Sequence, residues 1–208
     1  MTVYEQMNEY IKEGNIEKSV SYALDLMKNK TYSIVALYED VLGKILNEID
    51  CKQSDEDCIW YEHQRTAIVR TIVDALFPFL MEERQDLNGK KVLVVCPSEE
   101  YHELGAKMAA DFFYLLGYET TFVGANTPTK TILSALRTIK PDYLAISVTN
   151  YYHLVTVKKL VELAREELEH LVILGGGRAF KHKGAKDVVG VDACIGTYED
   201  IAALEGTK

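Results

Sequence analysis

Apolar positions recur along this chain with two different periods, and the change comes near residue 88. Up to that point the spacing is helical. Glu5 to Glu13 is short and polar and ends at Gly14-Asn15. Residues 16–29 carry Val20, Ala23, Leu24 and Met27 on one face. The clearest stripe lies in residues 31–49, where Val35, Tyr38, Val41, Leu42, Ile45, Leu46 and Ile49 recur at the three-and-four spacing of one helical face. From Asp55 to about Arg84 a long helix is expected, with Ile68, Val69, Ile72, Val73 and Leu76 inward. Pro78 should kink or interrupt it, because proline lacks the N–H that a helix interior needs and its ring crowds the preceding turn. Four helices on short connections predict a small bundle with antiparallel neighbours.

Asp86-Leu87-Asn88-Gly89 reads as a turn, and the pattern then changes. Short apolar runs of strand length stand at 92–95, 120–123, 143–147, 171–174 and 193–195. Helical stretches fall between and after them, at about 102–116, 129–139, 155–168, 180–188 and 198–204. Strands without polar alternation are buried on both faces, and alternation with helices makes their sheet parallel. The expected fold is therefore α/β: an N-terminal four-helix bundle over residues 1–88, then a flavodoxin-like (Rossmann-like) five-stranded parallel sheet domain over residues 89–208. Ligands of such sheets sit beyond the carboxyl ends of the strands, so those ends carry the chemistry.

Composition narrows the field. The 208 residues are 48% apolar and 26% charged, which suits a globular chain rather than a disordered one. A formal charge of -9 and no local basic stripe exclude nucleic acid and anionic membrane as direct partners. The N-terminus lacks the basic-then-apolar order of a secretory signal, and the longest apolar candidate, Ala67 to Met81, is broken by Arg70 and Asp74. Cys51, Cys58, Cys96 and Cys194 form no C-x-x-C pair and read as free thiols of a cytoplasmic protein. No nucleophile set, catalytic carboxylate pair or zinc spacing is present in the sequence. His153, His170 and His182 read as surface residues, and Tyr151 and Tyr152 as core packing.

The strand ends are more specific. The first strand is followed by Glu100-Tyr101-His102-Glu103-Leu104-Gly105. A histidine in a loop leading into a helix can keep an imidazole lone pair for a metal, and a carboxylate two residues earlier can take the other ring N–H. The third strand ends in Ser147-Val148-Thr149 and the fourth in Gly175-Gly176-Gly177. Glycines there allow close approach of a ligand, or simply a tight turn. The run does not follow the first strand, so the dinucleotide fingerprint fails, and Ser147 stands where a phosphorylated receiver needs Asp.

Taken together, Glu100-x-His102-x-x-Gly105, Ser147-x-Thr149 and Gly175-Gly176 resemble the signature of cobalamin-binding domains, Asp-x-His-x-x-Gly, Ser-x-Leu and Gly-Gly. A helical bundle ahead of such a domain resembles the corrinoid modules of methionine synthase, of methyl-carrying corrinoid proteins and of light-sensing cobalamin regulators. The resemblance implies cobalamin bound base-off, with His102 as lower axial ligand of cobalt and Glu100 behind it. It further implies that Ser147 and Thr149 line the pocket of the nucleotide tail, and that Gly105, Gly175 and Gly176 leave room for it. Glu100 replaces the family's Asp and Thr149 its apolar residue.

The bundle would then cover the upper face of the corrin. Trp60, Glu62 and His63 are its candidates, since the light-sensing regulators carry a Glu-His pair in their last bundle helix. Gly124-Ala125-Asn126-Thr127-Pro128 also resembles their Gly-x-x-Thr-Pro. Their Trp, ten residues before the Glu, is Lys52 here, and their DNA-binding domain has no counterpart. The reading is thus a corrinoid-binding sensor or regulatory module acting on a protein partner, with homo-oligomers allowed. The alternative is a methyl-group carrier for a cobalamin-dependent methyltransferase. The upper ligand, methyl, hydroxo/aquo or adenosyl, stays open.

Overall fold

Thr2 opens α1 (Val3–Lys12) with a reciprocal cap: its side chain accepts from Glu5 N–H while the Glu5 carboxylate accepts from the Thr2 N–H. The computed structural model describes residues 1–48 and 56–206 and divides into two compact units, Met1–Glu83 and Arg84–Lys208. The first unit is helical. Asn15 caps α2 (Ile16–Lys28) through Lys18 N–H. Ser33 opens a continuous helical run made of α3 (Ile34–Ala36), a π-helical turn over Leu37–Leu42 and α4 (Gly43–Asn47). The fourth long segment is α5 (Glu56–Ala75), followed by α6 (Phe77–Glu83). The helix breaks at Leu76, which puts Pro78 in the first turn of α6, where a missing N–H has no partner to lose.

The core of this unit is built from Met7, Ile11, Leu26, Met27, Leu37, Tyr38, Val41, Leu42, Ile68, Ile72 and their neighbours, all buried. On α2 the inward stripe is rotated from the expected one: Ser19 and Leu26 are buried, while Val20 and Leu24 are only half-buried. Ser19 tolerates burial because its hydroxyl donates to the Asn15 carbonyl at 2.7 Å. The wider π-turn places Leu37 and Tyr38 inward together, ahead of Val41 and Leu42. Ile49 and Lys52 lie outside the described residues.

The second unit begins at Arg84, two residues ahead of the turn at 86–89 that the sequence suggested as boundary. Arg84 to Asn88 are tied to the sheet unit: Arg84 Nη2 donates to Tyr118 O, Gln85 N–H to Leu115 O and Asn88 N–H to Gly117 O. Five parallel strands follow in the order β2-β1-β3-β4-β5: β1 (Lys91–Pro97), β2 (Glu119–Thr127), β3 (Tyr143–Ser147), β4 (Val172–Gly176) and β5 (Ala193–Ile195). This is the flavodoxin-like order, with its switch point between β1 and β3. The connections are α7 (Leu104–Leu115), α8 (Thr129–Ile139) and α9 (Leu154–Glu167), with α10 (Ala185–Val189) and α11 (Tyr198–Ala202) flanking β5. The helix expected over 180–188 is split into a 3₁₀ turn, Arg178–Lys181, and α10. Gly184 between them is left-handed, φ 83°, and a helix does not run through that conformation.

Cys58 is disulfide-bonded, which corrects the expectation of free thiols; only Cys96 and Cys194 are free among the described residues. Cys51 lies outside the described residues. Among the described residues, no helix is long and apolar enough to cross a membrane.

Candidate functional site

The carboxyl ends of β1 and β3 lie side by side because those strands pair, from Val92 with Tyr143 to Val95 with Ile146. Their loops therefore meet. In the first loop Glu99 is left-handed, φ 67°, and its N–H donates to Asn126 Oδ1 at 2.9 Å. Asn126, also left-handed, donates its own N–H to Glu100 O at 2.8 Å. Glu103 Oε2 accepts from Ala125 N–H at 2.7 Å. The loop after β1 is thus pinned to the end of β2 on both sides of His102.

Glu100 sits at the centre with its side chain wholly buried. Its Oε1 accepts the His102 backbone N–H at 3.0 Å and lies 2.6 Å from His102 Nδ1. Its Oε2 accepts the backbone N–H groups of Thr149 at 2.7 Å and Asn150 at 3.2 Å. His153 Nδ1 approaches the same Oε2 to 3.6 Å. Burial alone would raise the carboxyl's pKa. The hydrogen bonds from the His102 ring and from the Thr149, His102 and Asn150 N–H groups outweigh it and bring the pKa down to about 2. A buried, ionised carboxylate therefore holds Nδ1 of His102, while 61% of that side chain remains exposed. A carboxylate on Nδ1 fixes the tautomer and leaves Nε2 as the ring's donor nitrogen toward a metal. The extra methylene of Glu relative to Asp still permits a short contact to the ring.

The remaining strand-end residues sort by face. Ser147 pairs in register with Gly176, so both point to one side of the sheet. Gly175 pairs with Ile146 and points to the other side. There the Phe180 ring fills the space: a Cβ on Gly175 would meet it at 2.5 Å, and Phe180 packs in one cluster with Ile146 and Ile173. The bare Cα of Gly175 thus serves core packing. Gly105 faces open space, with nothing within 4 Å of a built Cβ. Gly177 is left-handed, φ 88°, and a Cβ there would stand 2.4 Å from Val148 O, so this glycine makes the turn. Thr149 joins the site through its backbone N–H to Glu100.

Trp60, Glu62 and His63 all belong to α5 of the helical unit. Trp60 is exposed and meets Tyr61 edge-on at 4.8 Å; Glu62 is half-buried and His63 exposed. Three sequence expectations need correction. Tyr151 and Tyr152 are exposed rather than packed in the core, because the 3₁₀ turn Tyr151–His153 carries them outward past the end of β3. His153 is not a surface residue: its side chain is only 19% exposed, against Glu100. His182 does lie at the surface, where its ring rests 4.6 Å from that of Tyr151. No local spacing links position 153 to position 100. The usable signal was the adjacency of β1 and β3, which brings the loops after them together.

The model of the B12 binding domain matches residues 90–205. Over 90 residues, 41% of this chain, the sequence is 30% identical to the HTH-type transcriptional repressor CarA of Myxococcus xanthus, and that match spans 29% of the repressor. Among solved structures, the monomethylamine corrinoid protein of Methanosarcina barkeri superposes with a TM-score of 0.78 at 12% identity, covering 97% of this chain and 96% of that one. A cobalamin-binding protein from Desulfitobacterium hafniense DCB-2 gives a TM-score of 0.51 at 14% identity, covering 90% of this chain and 97% of its own. The methanol:cobalamin methyltransferase complex MtaBC of Methanosarcina barkeri also gives 0.51 at 14% identity, covering 98% of this chain and 79% of that chain. At such identities these likenesses speak for the fold. With the match to the domain model running from the first strand to the last, the chain belongs to the B12-binding domain family.

Proposed function

We propose that the sheet unit binds cobalamin with the vitamin's own base displaced, that His102 is the lower axial ligand of cobalt, and that the chain works as a corrinoid-binding sensor or regulatory module. The observation that carries this is Glu100. Burying a carboxylate is costly unless it is fully hydrogen-bonded. Here four N–H groups surround one whose evident work is to hold an exposed imidazole in a single orientation. Among the described residues, no three His, Cys, Asp or Glu side chains converge as a metal site of their own. A metal arriving inside a macrocycle needs only one such nitrogen from the protein. The open space at Gly105, and Ser147 and Gly176 on one face of the sheet, fit a flat tail beside that ligand.

When bound, the corrinoid supplies ligand exchange and redox chemistry at cobalt. The chain's own residues would orient and hold it: Glu100 keeps Nδ1 of His102 as the protonated nitrogen, the Ser147 hydroxyl would hydrogen-bond the tail, and Trp60, Glu62 and His63 are the helical unit's candidates for the upper ligand. The sensor reading draws on that Glu62-His63 pair and on the 30% identity to the CarA repressor. It involves a protein partner and no direct contact with nucleic acid. A second reading, a methyl-group carrier serving a methyltransferase, draws on the layout shared over nearly the whole length with the monomethylamine corrinoid protein.

The test is the visible spectrum of protein reconstituted with hydroxocobalamin, compared with His102→Ala. Histidine-ligated, base-off cobalt has its own band pattern, and the variant should lose it. A colourless protein after gel filtration, or a spectrum unchanged by the substitution, would overturn the reading. Illumination of the adenosylcobalamin complex, followed by spectrum and oligomeric state, separates the sensor from the carrier. The carrier alone should accept a methyl group from a partner methyltransferase.

A further inference from the structure

The amino ends of the strands, one strand length or about 20 Å from the His102 loop, border a cavity of their own. Its volume is about 520 Å³, and it opens at the edge of β2, the outermost strand of the sheet. Two cations line it. Arg84 is fixed in place: Nη2 donates to Tyr118 O at 3.0 Å, and the guanidinium carbon lies 4.2 Å from the centre of the Tyr114 ring. Its Nε is buried with no hydrogen-bond partner. Lys91 opens β1, and only its backbone N–H is taken, by Asp142 Oδ2 at 2.8 Å. Among the described residues neither the guanidinium nor the Lys91 ammonium stands in an ion pair, although the chain carries 32 acidic side chains against 23 basic ones. Leu93 packs with Ile132 and Leu136 of α8, so strand alternation puts Lys91, Glu119 and Thr121 on that side of the sheet, where Thr138 at the end of α8 closes the wall.

We propose that this cavity is a second ligand site and that its ligand is a sugar phosphate, held by Arg84 and Lys91 at the phosphate and by Glu119 at the sugar. Unpaired cations beside a cavity call for an anion. A planar guanidinium, an ammonium and the Thr121 hydroxyl are the donor types that surround a phosphate. Inorganic phosphate alone would leave most of the space empty, since cavities from roughly 300 Å³ upward take organic molecules. Glu119 selects the rest of the ligand. Its carboxylate can only accept, so it turns a phosphate away from its end of the cavity and receives hydroxyl groups instead. The site lies at the opposite end of the sheet from His102 and owes nothing to the proposed role of that residue.

The experiment titrates the full apo chain with ribose-5-phosphate, with inorganic phosphate and with ribose, following backbone amide resonances. The sugar phosphate should shift Lys91, Thr120, Thr121 and Thr138 together. Inorganic phosphate should shift the same residues at higher concentration, and ribose should shift none. Arg84→Gln and Lys91→Gln should each weaken the sugar phosphate about tenfold. Glu119→Gln should narrow the gap between the sugar phosphate and inorganic phosphate, because it lifts the repulsion that keeps phosphate from that end. Arg84 also ties the chain to Tyr118, so Arg84→Gln could fail to fold by circular dichroism. Lys91→Gln then decides alone, since the Lys91 ammonium has no bond to lose among the described residues. An absence of shifts at about 10 mM sugar phosphate, shifts scattered over lysines elsewhere, or unchanged binding by folded Lys91→Gln would overturn the proposal. The titration contains no cobalamin, so its failure leaves the reading of His102 standing, and failure to bind cobalamin leaves this site to be decided by the titration.

Discussion

At the scale of single residues, Glu100 gathers the most consequences. Its carboxyl is held at about 2 in the folded chain, against 4.5 when unperturbed. The folded state therefore binds this proton less readily than the unfolded chain. The stability it contributes is complete above about pH 4.5 and disappears as the pH falls toward 2, a loss on the order of 3 kcal/mol. Urea midpoints of the apo protein at pH 7, 4.5 and 3 should show that fall, and Glu100→Gln should flatten it. Glu100→Ala strands the N–H groups of Thr149, Asn150 and His102 and should cost about 3 kcal/mol at pH 7, read as a lower urea midpoint. The free thiols make a sharper contrast. Cys96 is buried and its thiol is pushed up to about 12, chiefly by burial and also by the Glu100 and Glu103 carboxylates, whereas Cys194 is exposed. Peptide mapping after labelling at pH 8 should find Cys194 modified in native protein and Cys96 only after unfolding. The spacing Glu100-x-His102 made the first two members of this group legible in the sequence. Asn150 and His153 were not, because their link to Glu100 runs through strand pairing rather than through neighbours in the chain.

Among the elements, the parallel sheet was the easiest to read. Val92 to Val95 and Tyr143 to Ser147 are continuous apolar runs, and only strands covered on both faces tolerate that. Faces were harder. The Gly175-Gly176 pair looks like one feature in sequence, yet strand alternation sends its two members to opposite sides of the sheet. Likewise the α2 stripe was misplaced because a serine that bonds its own helix backbone can be buried, which hydropathy does not register. The Gly175 assignment is testable by a double-mutant cycle. Gly175→Ala forces the Phe180 ring out of its seat and should cost about 2 kcal/mol or more. Phe180→Ala opens a cavity and should cost about 3 kcal/mol. Because both act on the same space, the double variant should lose clearly less than the two costs added together, measured by chemical denaturation. Additive losses would mean that Gly175 is required for some other reason.

On the scale of the whole molecule, charge and topology divide at the same place. Residues 1–83 hold 16 acidic and 8 basic side chains, while residues 84–208 hold 16 and 15, so the net charge of -9 resides almost wholly in the helical unit. A polyanion would be repelled there, and the proposed partner is accordingly a protein. The two units also separate the proposal into parts that can fail independently. Ligand that binds only the folded state stabilises whatever it touches, by about 2.7 kcal/mol at a hundredfold excess over its dissociation constant. Hydrogen exchange resolves where that stabilisation falls. Hydroxocobalamin should slow exchange at residues 100–105 and 147–150 if His102 binds cobalt. It should also slow exchange in α5 around Trp60, Glu62 and His63 if the helical unit shields the upper face. His102→Ala should abolish both effects. Protection confined to the sheet unit would leave His102 as cobalt ligand and remove the helical unit from cofactor binding. Its acidic surface would then be the place to look for the partner.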